Sequence, residues 1–73
     1  MSLRGYSDDV EALSPRMIAV LRSASRGRTA RETALELHVS EATVWTIRSA
    51  ACSRLGASNV TAAVTVAIRA GKL

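Results

Sequence analysis

Side chains that could carry covalent or acid–base chemistry are few. The 73-residue sequence has one cysteine, Cys52, one histidine, His38, and six carboxylates, of which Asp8, Asp9 and Glu11 crowd into its start. No nucleophile stands at a recognisable spacing from a base and no acid–base pair emerges, so catalysis is not expected. The same inventory holds no His/Cys cluster with zinc spacing and rules out an intramolecular disulfide, so neither a metal nor another cofactor is implied. What the chain has in quantity is arginine, nine of its ten basic residues. A guanidinium offers planar, paired hydrogen bonds that match phosphate oxygens and guanine edges. Up to Leu13, Arg4 faces three acids; from Ser14 onward, nine basic residues face Glu32, Glu36 and Glu41. The basic part is therefore the part with folding potential, and its arginine content favours nucleic acid as a partner over the plainer reading of a soluble basic surface.

A second set of residues could read base edges. Winding residues 41 to 55 as a helix at about 100° per residue puts Val44, Ile47, Ala51 and Leu55 on one apolar stripe. The opposite side carries Ala42, Trp45, Thr46, Ser49 and Ser53. Small and hydroxyl side chains around one aromatic can approach a groove floor: Thr46 and Ser49 donate or accept, and Trp45 presses on a thymine methyl or a sugar. Ala42, Trp45, Thr46 and Ser49 are the expected base-reading set. Trp45 lies far from the centre of the apolar stripe, yet a lone tryptophan in a small domain also suits partial burial in the core. Arg31, Ser40, Thr43 and Arg54 are the expected phosphate contacts, assisted by free amides at helix N-termini. Each of the four also suits a capping or solvated role. Arg48 falls near the apolar stripe and would have to reach either a phosphate or an acidic neighbour such as Glu36.

These residues need helices to position them. Ser14 and Pro15 form a helix start with Leu13 as a staple, and Met17, Ile18, Val20, Leu21 and Ala24 keep a helical stripe until Ser25-Arg26-Gly27-Arg28 interrupts it. Thr29-Ala30-Arg31-Glu32 is a capping box that opens a second helix, running to about Leu37 with Thr33, Ala34 and Leu37 inward. Ser40 caps a third helix from Glu41 to about Leu55. Gly56-Ala57-Ser58-Asn59 closes it, and Thr61 is read as the cap of a fourth helix from Ala62 to Ala70, ended by Gly71. The β-branched run Val64-Thr65-Val66 has no partner strand, so the expected fold is all-α, four helices without a sheet. Residues 1–12 read as a flexible leader or linker, and residues 13–73 as the domain. No stretch approaches the roughly 18 apolar residues of a membrane span, and no signal peptide is visible, so a cytoplasmic, reducing location is expected and no membrane partner.

The fourth helix carries two apolar stripes, Val64, Ala67 and Ile68 on one and Ala63, Val66 and Ala70 on the other. A domain this small would struggle to bury both, so the second is expected to mediate homodimerisation, the alternative being that the first helix covers both stripes. Cys52, beside the core stripe, reads as a small hydrophobe.

Ala34, His38 and Val44 have the spacing of a helix-turn-helix: a small residue at the crossing, a turn residue, then a buried aliphatic. The turn position needs φ above zero, which histidine tolerates better than most non-glycine residues. From Leu13 to Leu73 the sequence resembles the LuxR/FixJ/GerE helix-turn-helix family. The resemblance is carried by Leu13-Ser14-Pro15-Arg16, Val20-Leu21, Gly27, Arg31-Glu32-Thr33-Ala34, Leu37, Val39-Ser40, Thr43-Val44, Arg54-Leu55 and Thr61-Ala62-Ala63-Val64. It implies a DNA-binding domain of a transcription regulator, with the third helix in the major groove and the fourth often pairing two copies. It also implies that Arg31, Thr43 and Arg54 stand where the family commonly meets the DNA backbone. Regulators made of this domain alone are the nearest in length. The sequence departs from the family pattern at Met17, and at Val44-Trp45-Thr46-Ile47, where Val-Lys-x-His is usual. Arg48 replaces a common aliphatic. With Trp45 and Ile47 in place of polar residues, a rival reading is a protein-interaction module that docks onto RNA polymerase or another regulator.

Overall fold

The computed structural model describes residues 13–73; the leader expected at residues 1–12 lies outside them. Four helices follow in order: α1 Pro15–Ser25, α2 Ala30–Leu37, α3 Glu41–Leu55 and α4 Val60–Arg69. No strand forms among the described residues, and Val64-Thr65-Val66 lies inside α4.

Each helix begins where a short polar side chain can satisfy amides that the first turn leaves open. Ser14 Oγ accepts from the Met17 amide at 3.1 Å, with Pro15 in the first turn. At α2 the capping box is complete: Thr29 Oγ1 accepts from the Glu32 amide at 3.0 Å, and the Thr29 amide donates to Glu32 Oε1 at 2.9 Å. Ser40 Oγ accepts from the Thr43 amide at 3.0 Å. The fourth start differs from the sequence reading. Its cap is Asn59, whose Oδ1 accepts from the Ala62 amide at 2.9 Å, and the helix begins at Val60. Val60, partly buried, packs against the core shared by α1, α3 and α4. Thr61 then falls within the first turn, and its carbonyl accepts from Thr65 Oγ1 at 3.2 Å.

The turn between α2 and α3 works as its spacing predicts. His38 sits in the left-handed region at φ 60°, ψ 43°. Among the described residues it is the one non-glycine with positive φ. That conformation reverses the chain so that the Val39 amide donates to the Ala34 carbonyl at 3.1 Å. Two residues later Ser40 is already a cap, which fixes α3 against α2.

The core has two parts. One joins α1, α3 and α4 through Leu13, Leu21, Ala51, Leu55, Ala63 and Ala67, with Met17, Ile18 and Cys52 packed on it. The other joins α1, α2 and α3 through Val20, Ala30, Ala34 and Val44, with Leu37 and Ile47 at its edge. Val20, Leu21 and Val44 are fully buried. Each contributes roughly 1.5–3 kcal/mol relative to exposure. Alanines at the crossings bring the helices close, so α3 is held rigidly along one side while its other side stays open.

A buried polar chain links α1 to α2. Ser23 Oγ donates to Glu36 Oε1 at 3.0 Å, so the Thr33 hydroxyl, 2.8 Å from Ser23 Oγ, supplies the proton to that oxygen. Ser23 and Thr33 are fully buried. Glu36 continues the chain to Arg26 Nη2 at 2.8 Å and Arg28 Nη1 at 3.0 Å. Its carboxyl is held below the usual glutamate range, first by the Ser23 hydroxyl and then by the charges of Arg28 and Arg26.

Candidate nucleic-acid interface

The candidate interface lies on α3. Its fifteen residues span about 22 Å at the usual rise per residue, ample to cross a B-form major groove about 12 Å wide. Val44, Ala51 and Leu55 face inward, which turns Ala42, Trp45, Thr46, Ser49 and Ser53 outward together, all of them exposed. Trp45 keeps 54% of its surface in solvent, so the exposed alternative is the one realised.

Local bonding narrows what each group can do. The Thr46 hydroxyl donates to the Ala42 carbonyl at 3.1 Å. Its proton is engaged within the helix, and its oxygen remains an acceptor for the amino group of adenine or cytosine. Ser40 Oγ and Thr43 Oγ1 lie 2.9 Å apart, and Ser40 Oγ also accepts from the Thr43 amide. One hydroxyl donates to the other, so one proton of the pair remains for a phosphate oxygen at the N-terminus of α3. Arg31 lies exposed in the first turn of α2, and Arg54 lies exposed in the last turn of α3.

Arg48 does not pair with Glu36, the acidic neighbour the sequence offered it. It is only 9% exposed, and its Nη2 donates to the Arg28 carbonyl at 3.2 Å, in the loop between α1 and α2. Glu36 is occupied by Arg26 and Arg28. The Arg48 guanidinium carbon lies 5.3 Å from the centre of the Trp45 ring, within cation–π range. This pairing was missed in the sequence, although residues three apart on a helix are neighbours and the signal was there. The Ser23–Thr33–Glu36 chain was missed as well. A serine falling on the apolar stripe of α1 was its one trace.

On α4 the expected dimer stripe needs correction. Ala63 is fully buried in the chain's own core, and Val66 is packed partly against it; of the three residues only Ala70 is exposed. Packing of α4 against α1 and α3 turns Ala63 and Ala67 inward. The outward side instead presents Thr61, Thr65 and Arg69 around Ile68, which is 53% exposed.

The model of the bacterial regulatory proteins of the luxR family, GerE, matches residues 11–67. The chain belongs to the luxR family. Searches of curated proteins and of solved structures return no match. Membership makes this a helix-turn-helix DNA-binding domain of transcription regulation, a class that is typically non-enzymatic. Within the luxR fold, α2, the His38 turn and α3 form the helix-turn-helix. Among the described residues no helix is long and apolar enough to cross a membrane.

Proposed function

We propose that this luxR-family domain is a sequence-specific reader of double-stranded DNA that binds as a homodimer on an inverted repeat, with α3 in the major groove. The observation that carries the reading is the outward side of α3: Trp45 stands half exposed among Ala42, Thr46 and Ser49 on a helix anchored along its other side. Those four residues contact base edges, and Arg31, Ser40, Thr43 and Arg54 hold phosphates and set the register. Ile68 and the outward side of α4 join the two copies, in place of Ala63. The protein works in the cytoplasm, where its DNA target is.

A protein partner such as RNA polymerase is the less supported reading. Ile47, the second apolar replacement on α3, packs against the Val20–Val44 cluster, which leaves Trp45 as a single exposed aromatic on that side. One such residue is a small anchor for a protein groove, whereas it suits a thymine methyl.

The test is selection from a randomised duplex pool, followed by binding to the enriched site across a salt series. An inverted repeat and a steep loss of affinity with salt are expected. Ile68→Asp should leave half-site binding intact and remove binding to the repeat as a pair. Absence of any enriched motif would overturn the DNA reading and direct the search to a protein that holds the Trp45 side.

A further inference from the structure

Arg48 is the charge that packing explains least. It sits on the inward stripe of α3, between Val44 and Ala51. Burying a guanidinium is costly unless its donors are matched. Nη2 has the Arg28 carbonyl, but Nε is buried with no hydrogen-bond partner. An aliphatic side chain would fill the same space without that cost, so stability does not account for the arginine.

What the arginine does contact toward the DNA side is Trp45. One end of the guanidinium is tied to backbone in the α1–α2 loop, and the Trp45 ring centre lies 5.3 Å from its central carbon. Both residues line an open groove of about 480 Å³ that runs to Ser58, Asn59 and Val60 at the start of α4. The ring therefore has room to swing toward α4, and the anchored cation opposes that swing.

We propose that Arg48 is a positioning residue for the Trp45 ring and, through it, a determinant of base choice that acts without touching DNA. This rests on Trp45 being a base reader, as proposed above. Trp45 is the sole tryptophan, so its fluorescence reports the ring directly in the free protein.

The experiment compares wild type, Arg48→Leu, Arg48→Lys and Trp45→Ala by tryptophan anisotropy decay without DNA and by site selection with DNA. Circular dichroism melts confirm folding, and Arg48→Lys keeps the comparison alive if Arg48→Leu does not fold. In Arg48→Leu the ring should gain fast motion, and discrimination at the base positions altered by Trp45→Ala should fall about two- to five-fold, the value of a partly exposed cation–π contact. Non-specific affinity and salt slope should not change. Arg48→Lys keeps the cation but lacks the fork that grips the Arg28 carbonyl, and should fall between.

Unchanged ring motion in both Arg48 variants overturns the proposal. So does a uniform loss of affinity with a shallower salt slope, which would make Arg48 a phosphate contact. If Trp45→Ala itself leaves base preference untouched, the base-reading role of Trp45 fails, and the specificity half of the proposal falls with it. The anisotropy result then decides the positioning half by itself.

Discussion

Replacing Ser23 by alanine tests the polar chain between α1 and α2. Ser23 Oγ receives the Thr33 proton across 2.8 Å and donates to Glu36 across 3.0 Å, and both Ser23 and Thr33 are fully buried. Without Ser23 Oγ the Thr33 hydroxyl has no acceptor there, a loss of about 1–3 kcal/mol for a buried unsatisfied donor. Alanine recovers about 0.5 kcal/mol through its better helix propensity. The net loss is about 1.5 kcal/mol, and at about 4–8 °C per kcal/mol for a domain of this size Tm should fall by roughly 6–12 °C. Adding Thr33→Val removes the stranded donor as well, so the double variant should regain about 1 kcal/mol relative to Ser23→Ala. Thermal melts followed by circular dichroism at neutral pH measure both. A Ser23→Ala variant as stable as wild type, or a double variant that simply sums two losses, would refute the reasoning.

Three further outcomes are expected. Glu36 has a depressed folded-state pKa, so its contribution is present above the ordinary glutamate range and is lost as pH falls through the folded value. Melts in acid should therefore decline less steeply for Glu36→Gln than for wild type, and parallel curves would remove Glu36 from that account. At the left-handed turn, His38→Gly should stay within about 1 kcal/mol of wild type, whereas His38→Val, β-branched at φ 60°, should lose about 1–2 kcal/mol in denaturant titrations. Arg31→Ala should weaken every DNA site alike and reduce the salt slope by about 1, while Trp45→Ala should change which bases are preferred. A base-specific effect at Arg31 would reverse the assigned roles.

What could be read along the chain was local. Ser14, Thr29 and Ser40 cap helices through atoms three residues away, and the His38 turn follows from the short spacing of Ala34, His38 and Val44. Such interactions depend on neighbours in sequence, so residue type and spacing suffice. The outward set on α3 was legible for the same reason, since helical periodicity sorts Trp45, Thr46 and Ser49 from Val44 and Ala51. At the start of α4 the local signals competed: Asn59 and Thr61 can each cap, and the partial burial of Val60 against the core accompanies the choice of Asn59.

Packing of α4 against α1 and α3 sent Ala63 inward, which removed it from the expected dimer surface. Glu36 found Arg26 and Arg28 across a loop, and Arg48 found the Arg28 carbonyl twenty residues away. The sequence by itself determined the helices, the turn and the side of α3 that stays open, because caps and periodicity act over one or two turns. The tertiary structure decided the partners of the buried polar groups and the face of α4 left exposed, because those depend on which surfaces meet when the helices pack.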